Sequence, residues 1–182
     1  MHSSFSSEKN KPNLYLVGMM GTGKSTIGKV LADQLRMNFL DSDESIEESY
    51  GQRISEIFTQ KGEEFFRNLE QKFITSGHQD HNLIVSCGGG LCIRPGMMEL
   101  LKSKGKVICL WASPETLLQR TETDQTRPLL QVADPLLQLQ KLISQRESRY
   151  READHIINTD ELTVNEVVQS ITKALQGDCY LK

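Results

Sequence analysis

The sequence predicts an α/β fold in which a five-stranded parallel sheet is flanked by helices on both faces. Three observations lead there. Five short apolar runs recur along the chain, and the stretches between them carry helical periodicity. The first run also leads straight into Gly18-Met19-Met20-Gly21-Thr22-Gly23-Lys24-Ser25, a glycine-rich segment that opens a helix. Strands buried on both faces read as continuous apolar runs, and parallel neighbours need the long crossovers that helices supply.

Leu14 to Val17 forms the first strand, and Thr26 to Leu35 the helix behind the glycine-rich segment. Asn38 to Asp41 is a second strand ending in acid, ahead of a helix over Glu44 to Tyr50. Between Ile54 and Ser76, the residues Ile54, Ile57, Phe58, Phe65, Phe66, Leu69 and Phe73 recur at spacings of one face of a helix. Gly62 divides that stretch into two pieces. Leu83 to Ser86 is the third strand and runs into Gly88-Gly89-Gly90, and Lys106 to Trp111 is the fourth. Ser113 before Pro114 is an N-cap with proline at the first helical position. Residues 122–134 are polar and aperiodic and hold Arg127-Pro128, which predicts a mobile lid. His155 to Asn158 is the fifth strand, and Thr163-Val164-Asn165-Glu166 is a capping box that starts the last helix. In open parallel sheets ligands collect beyond the carboxyl ends of the strands. The glycine-rich segment, Asp41, Asp43, Ser86 and the triple glycine all follow strands, so they should share one rim.

Composition narrows the class. A chain of 182 residues suits one domain with a single core, here residues 12–182 behind a polar, serine-rich tail over residues 1–11. The net charge is -3 and the 21 basic residues are dispersed, which argues against nucleic acid as a partner. No apolar run is long enough to span a bilayer, and the N-terminus lacks the basic-then-apolar order of a secretory signal. Cys87, Cys92, Cys109 and Cys179 form no CxxC pair and read as free thiols of a cytoplasmic protein. His78 and His81 fall short of the four ligands that a structural metal site needs.

The segment Gly18 to Ser25 fits GxxxxGKS in the strand-loop-helix context that a phosphate-binding P-loop requires. Glycines let consecutive N–H groups turn inward toward phosphate oxygens. Lys24 brings a mobile charge to the β- and γ-phosphates of a nucleotide, Ser25 a hydroxyl to Mg²⁺, and the helix its positive end. Gly21, Thr22, Gly23, Lys24, Ser25 and Thr26 are therefore the candidate nucleotide-binding residues. The NKxD motif of common GTPases is absent. The third strand ends in Ser86-Cys87-Gly88 without the acid that motor-like ATPases carry there, which favours a compact metabolite kinase.

From Leu14 to Leu175 the chain resembles shikimate kinases. The pieces that carry the resemblance are GMMGTGKSTIG from Gly18 to Gly28, LDSD from Leu40 to Asp43, GEEFFRNLE from Gly62 to Glu70, the triple glycine, RPLL from Arg127 to Leu130, and Arg146-x-x-x-Tyr150. The resemblance implies a P-loop kinase fold that phosphorylates the 3-hydroxyl of shikimate with ATP, one Mg²⁺ per subunit, in aromatic amino-acid biosynthesis. A monomer is expected.

It also implies roles. Asp41 would hold Mg²⁺ through water, as carboxylates do for a hard cation at a phosphate. Asp43 would bind the substrate hydroxyls and orient the attacking one or take its proton. The same two acids could serve only as helix N-cap decoration. Arg67 and Arg146 would grip the substrate carboxylate, for which a planar guanidinium is suited. Arg146 is preferred over Arg149 for its spacing to Tyr150. Gly88, Gly89 and Gly90 would let backbone N–H groups approach the substrate. Arg127 would swing over the transferring phosphoryl group, and Arg120 would stack on adenine, with main chain near Asp160 completing that pocket. Two other readings compete: a polyol kinase such as gluconate kinase, and a binding protein that has lost catalysis. Arg67 with the triple glycine and the RPLL lid segment weighs against the first, and Lys24, Ser25, Asp41, Asp43 and Arg127 together weigh against the second.

Overall fold

In the computed structural model, residues 10–122, 130 and 132–177 are described. The sheet has the order β2-β3-β1-β4-β5 with all neighbours parallel, built from β1 (Asn13–Val17), β2 (Asn38–Asp41), β3 (Leu83–Ser86), β4 (Gly105–Trp111) and β5 (His155–Asn158). Alternation across the pleat divides the core in two. Leu14 and Leu16 of β1 face one apolar cluster with Ile27 and Leu31 of α1 (Lys24–Leu35) and Val168 and Ile171 of α8 (Val164–Gly177). Tyr15 and Val17 face the other, with Ile46, Phe66, Phe73, Leu101, Leu117 and Leu142. Those side chains come from α2 (Ser42–Tyr50), α4 (Glu63–Ser76), α5 (Met97–Lys104), α6 (Pro114–Thr121) and α7 (Pro135–Tyr150), with α3 (Ile54–Lys61) adding Ile57.

The central strands β1 and β3 are buried throughout, whereas the edge strand β5 alternates between half-buried and exposed. This is the two-sided burial that continuous apolar runs predict. Two helices begin earlier than the sequence suggests. Lys24 and Ser25 already belong to α1, whose N-cap Gly23 stands at φ 87°, and α2 starts at Ser42, capped by the Asp41 carboxylate accepting from the Asp43 N–H. Gly62 separates α3 from α4, and Ser113 caps α6 through the Thr116 N–H, as expected. Thr163 and Glu166 form the reciprocal capping bonds before α8.

Lys11, grouped by composition with the polar tail, is fastened to the residue before β3 and to the end of α1. Its N–H donates to Asn82 Oδ1 at 2.8 Å and its Nζ to the Leu35 carbonyl at 2.6 Å. Cys87, Cys92 and Cys109 are free and buried, and Cys179 lies outside the described residues. Burial pushes the Cys92 and Cys109 thiols up to about 12, so they stay protonated and inert as nucleophiles. Among the described residues no helix is long and apolar enough to cross a membrane.

Candidate active site

The carboxyl ends of β1, β2 and β3 bring the predicted residues to one rim. A cavity of about 510 Å³, within the range of small-ligand sites, is lined by Gly21, Gly23, Lys24, Ser25, Thr26, Asp41, Asp43, Ser86, Gly88, Gly89 and Arg120. A second cavity adjoins the triple glycine and is lined by Glu63, Glu64, Arg67, Gly90, Arg94 and Arg146. Gly89 links them, since the first cavity includes it and Arg146 donates to its carbonyl.

In the P-loop, Lys24 Nζ donates to the carbonyls of Gly18 and Met19, each at 2.9 Å. The ammonium thus spans the loop from within. Thr22 is turned away from the cavity: it is buried, its hydroxyl donates to the Met19 carbonyl at 2.8 Å, and its N–H donates to the same oxygen at 3.4 Å. Ser25 Oγ donates to Asp41 Oδ2 at 2.7 Å and stands 3.1 Å from Ser86 Oγ. Two hydroxyls and a carboxylate oxygen meet there. Such hard oxygen donors suit Mg²⁺ in the manner of phosphate sites, where water and the nucleotide complete the coordination. No group of three or more His, Cys, Asp or Glu that could hold a metal by itself occurs among the described residues.

Asp41 and Asp43 do different things although two residues apart. Asp41 Oδ1 accepts from the Asp43 N–H at 3.0 Å while its other oxygen serves Ser25. The cap and the site role coexist in one carboxylate. Asp43 is raised to about 6, first by burial and then by the neighbouring charge of Asp41, with Lys24 opposing. Its carboxylate lies so close to Gly88 that a Cβ on that glycine would collide with it. The Gly88 N–H donates to Ser42 Oγ at 2.8 Å, which fixes the triple glycine against α2.

Arg67 on α4 is held on both sides. Nη1 donates to Glu70 Oε2 at 2.8 Å, and Nε and Nη2 donate to Glu63 Oε1 at 3.2 and 2.8 Å. Burial raises Glu70 to about 7 against the pull of the Arg67 guanidinium. Arg146 donates through Nη1 to the Gly89 carbonyl at 3.3 Å and approaches Met19 Sδ at 3.8 Å. Tyr150, one turn further along α7, donates to the same carbonyl at 2.7 Å. Arg149 instead pairs with Glu152 at 3.0 Å and does not line the cavity, so of these two arginines it is Arg146 that shares the cavity with Arg67.

Arg120, at the end of α6, donates to Thr159 Oγ1 at 2.9 Å and to the Thr159 carbonyl at 2.6 Å, which pins its guanidinium at the mouth of the P-loop cavity. The Asp160 carboxylate turns instead to the N–H and hydroxyl of Ser113. Arg127 and most of the expected lid lie outside the described residues. Sequence reasoning missed Glu63, Glu70 and Arg94. The two acids were signalled by standing four residues before and three after Arg67, the spacings at which helical side chains meet; nothing in the sequence pointed to Arg94.

Comparison with known proteins agrees with this arrangement. Residues 20–176 match the family model described as shikimate kinase. The chain is 45% identical over 159 residues to the shikimate kinase of Sulfurihydrogenibium sp. strain YO3AOP1, covering 87% of this chain and 95% of that one. A solved shikimate kinase from Acinetobacter baumannii, in complex with shikimate, superposes with a TM-score of 0.86 at 38% identity, over 92% of this chain and 94% of the other. A gluconokinase from Sinorhizobium meliloti 1021 shares the fold at 14% identity, with a TM-score of 0.56 and coverage of 92% of this chain and 93% of the other. That likeness speaks for the fold alone. On sequence, architecture and the residues gathered at its rim, the chain belongs to the shikimate kinase family.

Proposed function

We propose that the protein transfers the γ-phosphoryl group of ATP to the 3-hydroxyl of shikimate, giving shikimate 3-phosphate and ADP. The observation that carries this reading is the pairing of Arg67 and Arg146 around one cavity, next to Asp43 and the P-loop. Two guanidinium groups suit a carboxylate, and an acid beside the phosphate loop suits a hydroxyl nucleophile.

In this reading the P-loop N–H groups and Lys24 hold the β- and γ-phosphates, and Arg120 lies against the base. Thr22 serves as a brace of the loop, because both its donors are spent on Met19. Ser25 and Asp41 are the residues that would hold one Mg²⁺, the Ser86 hydroxyl beside them. That ion, when bound, neutralises charge on the phosphate oxygens. Asp43 orients the 3-hydroxyl and accepts its proton. With a carboxyl raised to about 6 it is ionised at neutral pH yet more basic than an ordinary aspartate. Gly88, Gly89 and Gly90 bring backbone to the substrate, and Arg67 and Arg146 grip its carboxylate. The lid around Arg127 would close over the phosphoryl group and exclude water, which otherwise would be phosphorylated in place of the substrate. We read the protein as a cytoplasmic monomer with one domain from residue 12 onward.

A coupled ADP-release assay with shikimate, quinate and gluconate side by side tests the proposal. Turnover should require shikimate. Faster turnover with gluconate would return the chain to the polyol kinases.

A further inference from the structure

Arg67 has two edges, and its surroundings treat them differently. Nη1 goes to Glu70 on the same helix, whose side chain is 2% exposed. Nε and Nη2, the pair of donors that matches a carboxylate fork, both go to a single oxygen of Glu63, whose side chain is 66% exposed. Arg67 and Glu63 line the cavity that also holds Arg146. We propose that Glu63 is an internal placeholder: it occupies the carboxylate-binding edge of Arg67 in the empty protein and is displaced by the carboxylate of the substrate. This rests on the reading that Arg67 receives that carboxylate.

Three features favour exchange at Glu63. The bond to Glu70 is buried and anchors the guanidinium whichever anion sits on the other edge. Glu63 is the first residue of α4, so a released side chain remains near the positive end of the helix. Its neighbour Glu64 is already engaged by Arg94 at 3.0 Å, and Arg94 also donates to Asn68 at 2.7 Å, so the adjacent acid is tied to a different partner. The arrangement makes Glu63 a determinant of specificity. An incoming carboxylate exchanges like for like on Arg67, while a neutral polyol offers nothing to replace the internal anion. Exposed ion pairs are weak, so the competition should be modest, about two- to fivefold in affinity.

The test uses the full chain labelled with ¹⁵N-arginine, in which the Arg67 Nε–H resonance is identified by its loss in Arg67→Lys. Sodium benzoate, a bare planar carboxylate, and shikimate are titrated separately at constant ionic strength into wild type, Glu63→Gln and Glu48→Gln, the last an exposed acid of α2 that lines neither cavity. The placeholder predicts midpoints lowered about two- to fivefold in Glu63→Gln, with Glu48→Gln close to wild type. Equal lowering in both variants would reduce the effect to net charge, and an unchanged or raised midpoint in Glu63→Gln would mean that Glu63 does not compete. Either result overturns the placeholder while leaving the shikimate reading intact. If benzoate shows the Glu63→Gln shift but shikimate never moves the resonance, the placeholder stands and the shikimate reading fails.

Discussion

Gly90 and Arg67 are matched by subtraction: a Cβ on Gly90 would stand 2.7 Å from both terminal nitrogens of the Arg67 guanidinium. Gly90 itself has φ -104° and ψ -8°, a conformation open to any residue. The glycine is required by the space, not by the backbone. Gly90→Ala should therefore fold normally and push Arg67 off its position. The expected result is a KM for shikimate raised about tenfold or more, as for loss of a charge-assisted hydrogen bond, with nucleotide affinity retained. A melting temperature lowered alongside weakened nucleotide binding would show instead that the loop had moved as a whole.

Arg67→Lys tests the fork from the other partner. It keeps the charge but replaces a planar donor pair with a point charge. Charged hydrogen bonds contribute about 1.5 to 3 kcal/mol, so kcat/KM for shikimate should fall roughly tenfold to a hundredfold, mostly in KM. Isothermal titration of ATP without shikimate should show little change. Unaltered shikimate kinetics would remove Arg67 from the substrate carboxylate.

Asp43 should cost stability and supply activity. Its carboxyl is raised from the ordinary 3.8 to about 6, chiefly by burial. Between those values the folded chain binds more protons than the unfolded one, so this group's contribution is full below pH 4 and is lost as pH rises through about 6. At pH 7 to 8 Asp43→Asn should thus be the more stable protein, by up to about 3 kcal/mol for a shift of two units. The difference should vanish toward pH 4. Turnover should collapse in the same variant, and wild-type kcat/KM should fall as pH drops below about 6. A variant less stable than wild type at pH 8 would contradict this assignment of the strain.

Lys24→Ala removes both the bridge to the Gly18 and Met19 carbonyls and the charge intended for the phosphates. Lost stabilisation of developing charge lowers kcat by about a hundredfold to a thousandfold. Circular dichroism should still report an intact fold. Near wild-type turnover would take Lys24 out of the chemistry.

Tyr150→Phe deletes the donor that reaches Gly89 at 2.7 Å, leaving that carbonyl to Arg146 at 3.3 Å. A buried hydrogen bond of this kind contributes about 1 kcal/mol. A matching loss in denaturant unfolding, together with a raised KM for shikimate and an unchanged KM for ATP, is expected. Equal changes in both KM values would show that Tyr150 supports the P-loop rather than the substrate side.

Much of this site was readable because its chemistry is written in contiguous segments. Gly18 to Ser25 form a loop whose residues are neighbours in both sequence and space, and Ser113-Pro114 announces a helix by itself. What stayed hidden depends on direction. Nothing in GMMGTGKS says that Thr22 turns inward while Ser25 turns out. Arg146 and Arg149 lie three residues apart on one helix; the spacing to Tyr150 favours Arg146, but the partners that divide them, the Gly89 carbonyl for one and Glu152 for the other, emerge only in the fold. Helix α5 begins at Met97 behind the N-cap Gly96, which has no side chain to cap it, so the usual start signal is missing. Glu63 and Glu70 stood in the GEEFFRNLE segment with no role of their own, because their grip on Arg67 depends on which way each side chain turns.

Met19 belongs to the P-loop, yet its sulfur accepts from the Tyr150 hydroxyl at 3.4 Å and lies 3.8 Å from Arg146. One P-loop side chain therefore touches both the arginine and the tyrosine on the substrate side. A nucleotide that shifts Met19 should shift those two groups with it, and the free energies of binding the two substrates should then not add. Linkage then demands reciprocity: the factor by which nucleotide changes affinity for the acid must equal the factor by which the acid changes affinity for nucleotide. Replacing the thioether with a side chain that cannot bridge the two should shrink both factors together.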